Sequence, residues 1–352
     1  MGGSVPMRRE TMFWIASMTK PVTAVAAMIL VEECVLRLDE PVDRLLPELA
    51  GRTVLKRLDG PLDNTLPVTR PISVRDLLTL RLGFGQMIAS PDAYPILSAT
   101  NALQIDLEPP GLDAHPGPDE WLRRLGSLPL MHQPGERWLY HTGSDVLGVL
   151  AARASGRPLE TFMRERIFEP LGMKDTGFSV PAGKLDRLAT SYSTNAESGA
   201  LEVSDEGVGG EWSRPPAFPS GGGGLVSTVD DYLAFGQMML NKGRLGGEHI
   251  LSRPSVELMT ADHLTAEQQA GAAAILGDDR GWGFGLAVVT RRDDLAGTVG
   301  AFGWDGGLGT SWRSDPREDM VGILLSQVAW TSPSPPGVWL DFWTSVYQAI
   351  DD

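Results

Sequence analysis

Between Pro21 and Leu38 the apolar residues Val22, Val25, Ala26, Ile29, Leu30 and Leu36 recur at helical spacing, and most positions between them are apolar too. A helix that is apolar nearly all round has no face to offer water, so this stretch predicts a central helix packed on several sides. Pro21 is tolerated in the first turn, where its missing N–H has no intrahelical partner to lose. Cys34, the single cysteine, falls inside the same pattern and is expected as a buried, inert thiol.

Ser17-Met18-Thr19-Lys20 leads into this helix. If residues 15 to 33 are helical, positions i and i+3 share a face and the Lys20 amine lies beside the Ser17 hydroxyl, the relation of a nucleophile to its proton acceptor. Ser-x-x-Lys alone is a short pattern, equally compatible with a serine cap followed by a solvated lysine. The companions of the motif have to decide.

Composition narrows the field. The chain has 352 residues, 42% of them hydrophobic, enough for a substantial core in one large domain or two. The net charge of −15 gives a surface that repels nucleic-acid phosphates and anionic membrane faces, so no nucleic-acid partner is expected. One cysteine permits no intramolecular disulfide, and the five scattered histidines form no HExxH or Cys/His pattern, so neither metal nor other cofactor is expected. No apolar run reaches the roughly 18 residues needed to span a bilayer. Met1 to Glu10 lack a hydrophobic core like that of a signal peptide, and a cytoplasmic location is the expectation.

Short helical patterns at Ser73 to Leu82, Asp119 to Leu125, Ser144 to Ala154 and Leu159 to Ile167 are separated by Pro and Gly, and residues 84–118 and 191–220 read as long loops shaping a pocket. Ser220 opens a run of four glycines, and Ser227-Thr228-Val229-Asp230 starts a helix through Leu240. No GK[ST] follows the glycines, so they predict a tight turn or close backbone approach rather than a phosphate cradle. Gly281 to Thr290, Thr298 to Trp304, Gly309 to Arg313 and Met320 to Val328 predict an antiparallel meander, and Val338 to Ile350 an amphipathic terminal helix. This order predicts an α+β fold, with residues 1–50 and 220–352 forming a part with an antiparallel sheet and 51–219 a mainly helical and loop region.

The segment FWIASMTKPVT from Phe13 resembles the nucleophile region of the serine β-lactamase and penicillin-binding-protein superfamily. Four further stretches resemble it in order: QPGERWLYHTGSDVLG from Gln133, IFEPLGMKDTGF from Ile167, SGGGGLVSTVDDYLAFGQMML from Ser220, and GWGFGLAVV from Gly281 with FGWDGGLGTSW from Phe302. The resemblance spans nearly the whole chain and is greatest to the class C β-lactamase-like carboxylesterases, often called family VIII esterases. It implies a β-lactamase/transpeptidase-like fold in which helices flank an antiparallel sheet.

For the site, the resemblance implies Ser17 as nucleophile with Lys20, and Tyr140-His141-Thr142 in place of a Tyr-x-Asn motif. A phenol beside an ammonium is suited to take and return a proton, whereas on the residues alone Tyr140 reads rather as an amphipathic core tyrosine. Thr142 keeps a hydroxyl for Lys20 or substrate but lacks an amide's paired donor and acceptor. His141 invites a Ser–His pair, but no GxSxG elbow accompanies it and no histidine triad is expected.

Trp304-Asp305-Gly306, followed by Gly307, stands where the family has Lys-Thr-Gly or His-x-Gly. These residues bring no cation to a substrate carboxylate, and Asp305 would repel one, which favours neutral esters of small or medium acyl groups over lactams. The resemblance also implies an oxyanion hole from the Ser17 and Gly307 N–H groups, although Gly306 and Gly307 alone read equally as a hairpin turn. The expected activity is a carboxylesterase working through an acyl-enzyme. The alternatives are a β-lactamase or D-alanyl carboxypeptidase, or a catalytically silent binding or scaffold protein of the same fold. Relatives of this kind carry a few dozen residues before the nucleophile, supplying two strands to the meander, and only sixteen precede Ser17. Either the natural start lies upstream of Met1, or, if Met1 is the start, fewer strands and an exposed sheet edge are expected, with homo-oligomerisation as a compensation.

Overall fold

The computed structural model describes residues 6–105 and 116–351. The apolar stretch after Ser17 forms the helix Thr19–Glu32, buried from Thr19 through Leu30 and packed against the helix Thr142–Ser155. It ends sooner than the apolar spacing predicts. Cys34 adopts φ 60° just beyond it, its N–H bonds the Val31 carbonyl and the Val35 N–H bonds that of Leu30, which is a Schellman stop. Cys34 is consequently exposed rather than buried.

The C-terminal strands form one five-stranded antiparallel meander in chain order: Arg280–Trp282, Ala287–Val289, Phe302–Gly306, Thr310–Asp315 and Met320–Leu324. The apolar run expected as a single strand at 281–290 is a hairpin, turned at Gly285 with φ 74°. A Cβ on Gly285 would lie 2.8 Å from the Lys20 carbonyl oxygen, so this turn presses directly on the first helix.

Alternation along Thr310–Asp315 sets the layers. Trp312 and Ser314 face the helix Val229–Leu240, where the Ser314 hydroxyl donates to the Gly236 carbonyl and a Cβ on Gly236 would strike the Trp312 indole. Ser311 and Arg313 face the terminal helix Gly337–Gln348: the Trp339 and Trp343 N–H groups donate to Ser311 Oγ, and the Arg313 guanidinium lies 4.6 Å from the Trp343 ring centroid. The result is a helix–sheet–helix sandwich. Phe13–Trp14, before the nucleophile, pairs with Val226–Ser227 rather than with the meander, and among the described residues Met320–Leu324 has only Thr310–Asp315 as a strand neighbour.

The predicted helices at 73–82, 119–125, 144–154 and 159–167 correspond to Val74–Leu78, Pro118–Ser127, Thr142–Ser155 and Leu159–Met163, the last continuing through a wider turn to Phe168. Two segments read as loops carry regular structure, the helix Pro95–Ala102 and the hairpin of Ser191–Thr194 with Leu201–Asp205. Residues 106–115 of the first lie outside the described residues. One apolar cluster runs through both expected parts of the chain, from Ile15 and Val25 through Trp121 and Leu150 to Trp312. Among the described residues no helix is long and apolar enough to cross a membrane.

Candidate functional site

Ser17 sits in a 3-10 turn, Ala16–Met18, that feeds the buried helix. The turn is held from four sides: the Ile15 N–H donates to the Leu225 carbonyl, the Ile15 carbonyl accepts from Thr310 Oγ1, the Leu225 N–H donates to Thr19 Oγ1, and the Tyr232 hydroxyl donates to the Met18 carbonyl. Ala16 is driven to φ 46°, costly for a residue with a Cβ, and strain next to a half-buried serine is the kind that accumulates at functional sites.

Lys20 is fully buried, and its Nζ lies 2.9 Å from Ser17 Oγ, 2.6 Å from the Gly222 carbonyl oxygen and 3.1 Å from His141 Nδ1. The same Nζ stands 4.5 Å from the centroid of the Tyr140 ring. Tyr140 is fixed through its backbone, since its carbonyl accepts the Gln86 N–H, and a Cβ on Gly85 would come within 2.6 Å of that carbonyl oxygen. Its hydroxyl oxygen accepts the Trp304 indole N–H at 2.9 Å. Trp138, Tyr140, Trp282 and Trp304 pack ring against ring, with centroids 4.7 to 5.7 Å apart around the cluster.

His141, not Thr142, meets Lys20. The chain makes a tight γ-turn in which the Thr142 N–H reaches back to the Tyr140 carbonyl and His141 is held at φ 73°, ψ −70°. This swings the imidazole toward Lys20 and leaves Thr142 buried in the first turn of the helix, away from the cavity wall. His141 Nε2 lies 3.1 Å from Asp145 Oδ2, the carboxylate displaced from the ring N–H axis so that the contact is electrostatic rather than an aligned hydrogen bond. Asp145 is itself buried and accepts from Ser220 Oγ at 2.6 Å and the Gly222 N–H at 2.9 Å. Burial opposes its ionisation, but the His141 ring, the Ser220 hydroxyl and the Gly222 N–H together hold the carboxyl below the ordinary carboxylate range.

The glycine run is explained by these contacts. A Cβ on Gly221 would lie 2.5 Å from the Ser144 carbonyl oxygen, and one on Gly222 would lie 2.9 Å from His141 Nε2. The loop turns its Gly222 and Gly223 N–H groups toward Asp145 and Ser220 and its Gly222 carbonyl toward Lys20. That polarity suits an ammonium, not a phosphate. Trp14 and Trp212 stack with centroids 4.0 Å apart, and their indole N–H groups donate to the Gly223 and Gly224 carbonyls, propping the loop from outside.

Ser17, Tyr140, His141, Trp304, Asp305, Gly306 and Gly307 line one cavity of about 810 Å³, walled further by Trp14, Ile88, Val203, Trp212, Phe218 and Trp330. Gly306 ends its strand against the nucleophile turn, and Gly307 follows at the exposed hairpin tip. The carboxylate of Asp305 is engaged: Ser311 Oγ and the Trp339 N–H donate to one oxygen, and the Arg280 guanidinium stands 3.5 Å from the other. Trp304, Asp305 and Gly306 themselves bring no cation, but Arg280, 25 residues before Asp305, adds one to this wall that the sequence reading does not name. Sequence reasoning also missed Asp145 and Ser220, whose only signal is a His-Asp pair four residues apart at a helix start and a serine before the glycines. Among the described residues no group of acidic, histidine or cysteine side chains is arranged to hold a metal ion.

Residues 1–336 match the family model described as Beta-lactamase. The chain is 42% identical to Protein Rv1367c of Mycobacterium tuberculosis over 92% of this chain and 79% of that protein. It is 33% identical to Esterase EstB of Burkholderia gladioli, over 94% and 81%. Among solved structures it superimposes on EstCE1, described as a hydrolase with promiscuous acyltransferase activity, with a TM-score of 0.76 and 27% identity, covering 97% of this chain and 86% of that one.

Proposed function

Because this chain belongs to the beta-lactamase family, with esterase relatives that mark it as a serine hydrolase, we propose that it is a carboxylesterase that forms an acyl-enzyme on Ser17. The observation that carries this reading is Lys20 Nζ, 2.9 Å from Ser17 Oγ in the cavity that also holds Tyr140 and Gly307. A buried amine beside a hydroxyl takes its proton as the oxygen attacks the ester carbonyl. The Ser17 and Gly307 N–H groups then receive the charge of the tetrahedral intermediate. Tyr140 shares the proton with Lys20 and returns it to the departing alkoxide, and the Trp304 N–H steadies negative charge on the phenol oxygen. Water repeats the sequence on the acyl-enzyme.

The walls favour apolar, uncharged substrates. Trp14, Trp212, Phe218 and Trp330 offer aromatic surface for an acyl chain, while Trp304, Asp305 and Gly306 shape the side next to the oxyanion position. Arg280 is turned to Asp305, so its charge is met within the protein and little is left for a substrate carboxylate. Short-chain p-nitrophenyl esters tested beside nitrocefin decide the matter. We expect ester turnover that Ser17→Ala abolishes without loss of the fold, and nitrocefin turnover lower by orders of magnitude. Turnover retained in Ser17→Ala overturns the assignment, and nitrocefin as the better substrate moves it to β-lactam hydrolysis.

A further inference from the structure

We propose that His141, backed by Asp145, is a positioning residue that sets the basicity of Lys20, making the working unit Ser17–Lys20–His141–Asp145; this rests on the acyl-enzyme reading above. Three independent features converge on it. The backbone at His141 is held at φ 73°, ψ −70°, a conformation that a histidine adopts only when its surroundings impose it. The ring nitrogen Nδ1 lies 3.1 Å from Lys20 Nζ. Behind the ring a buried carboxylate stands 3.1 Å from Nε2, and Ser220 and the Gly222 N–H hold it in place.

Hydrogen counting fixes the roles. Ser17 Oγ, Gly222 O and His141 Nδ1 surround Nζ at hydrogen-bond distances. As a neutral amine, Lys20 accepts the Ser17 O–H with its lone pair and donates its two hydrogens to Gly222 O and His141 Nδ1. As an ammonium it donates to all three. Both states require an unprotonated Nδ1, hence a proton on Nε2, the side on which Asp145 stands. During acylation the bond from Ser17 Oγ to the acyl carbon forms, the bond from that carbon to the alcohol oxygen breaks, and the serine's proton passes to Lys20 and, by way of the Tyr140 hydroxyl, to the leaving alkoxide. His141 neither gains nor loses a proton. It offers the new ammonium an acceptor polarised by a negative charge, which stabilises the protonated form and so strengthens the base.

Besides Asp145 within the unit, Tyr140 is the titratable group against Lys20 and His141 among the described residues, and across the cavity stand Asp205, Glu211 and the Arg280–Asp305 pair. Fluorophosphonate labelling of Ser17 in the wild-type protein comes first. Absence of a label overturns the acyl-enzyme reading and this inference with it. With Ser17 labelled, kcat and KM for a p-nitrophenyl ester are measured against pH in the wild type, His141→Ala, His141→Asn and Asp145→Asn. His141→Ala is expected to lower kcat roughly ten- to a hundredfold, part of what general acid–base catalysis supplies, with KM within about threefold. The acid limb of the profile moves to lower pH, as a weakened base requires. Asn restores an acceptor near the Nδ1 position and recovers part of kcat, while the acid limb stays displaced because the link to Asp145 is gone. Equal loss in both His141 variants with an unmoved acid limb reduces His141 to a structural role and overturns the inference, as does wild-type behaviour in His141→Ala. Should the variants fail to fold, ¹⁵N-histidine spectra of the wild type decide: a neutral Nε2–H tautomer for His141 at pH 7 to 8 supports it, and an Nδ1–H tautomer overturns it.

Discussion

Adding one methyl group at Gly306 tests whether the strand Phe302–Gly306 positions the nucleophile. A Cβ there would lie 2.5 Å from the Ile15 carbonyl oxygen and 2.1 Å from Thr310 Oγ1. Thr310 is fully buried and its hydroxyl donates to that same carbonyl, so neither atom has free space to move into. The strand and the turn carrying Ser17 must therefore separate by roughly half an ångström to an ångström, at a cost of about 1–3 kcal/mol typical of overpacking. A displacement of that size between serine and oxyanion donors is worth roughly a hundredfold in rate. The neighbouring Gly307 is the control, because a Cβ there meets nothing within 4 Å and its N–H is retained. Chemical denaturation and p-nitrophenyl ester kinetics on Gly306→Ala and Gly307→Ala make the comparison. Gly306→Ala is expected to lose stability by that amount and kcat/KM by about a hundredfold, while Gly307→Ala stays within about tenfold and folds like the wild type. Wild-type rate and stability in Gly306→Ala, or the reverse ranking, would mean that this strand does not position Ser17.

Tyr140→Phe is expected to lower kcat about a hundredfold or more with the fold intact, and an unchanged rate in steady-state assays removes Tyr140 from the mechanism. Trp304→Phe deletes the donor to the Tyr140 hydroxyl while keeping an aromatic ring, and kcat should fall about tenfold with circular dichroism unchanged; a fall as deep as that of Tyr140→Phe would mean the tryptophan does more than support the phenol. The Asp145 carboxyl titrates lower in the folded protein than in the unfolded chain, so its stabilisation is present above the ordinary carboxylate range and is lost as pH falls through the folded value. Denaturant unfolding of Asp145→Asn should accordingly differ from the wild type at pH 7 and converge with it in acid. A constant difference across that range contradicts the assignment.

The parts of the site that were legible in the sequence are those set by local periodicity. Ser17 and Lys20 are three residues apart at the head of an apolar helix, and the 3-10 turn that carries Ser17 into that helix brings Nζ to Oγ. The meander was legible because its alternating or apolar runs are separated by turn residues. What stayed hidden depends on single backbone states or distant partners. The sequence reading offers the Thr142 hydroxyl to Lys20 or substrate, but a γ-turn at one residue rotates His141 toward Lys20 instead. Cys34 was expected inside a helix because apolar residues continue to Leu36, yet the carbonyls of Leu30 and Val31 are already taken by the stop. Arg280 meets Asp305 from two strands away in the sheet, a proximity that no local pattern announces.

Acylation of Ser17 is read by intact-mass spectrometry after rapid acid quench. Incubation with a panel of p-nitrophenyl esters should give a mass increase equal to one acyl group per chain, mapped by peptide digestion to Ser17 and absent in Ser17→Ala. Ester turnover with no adduct at Ser17, or an adduct that persists in Ser17→Ala, would contradict the account.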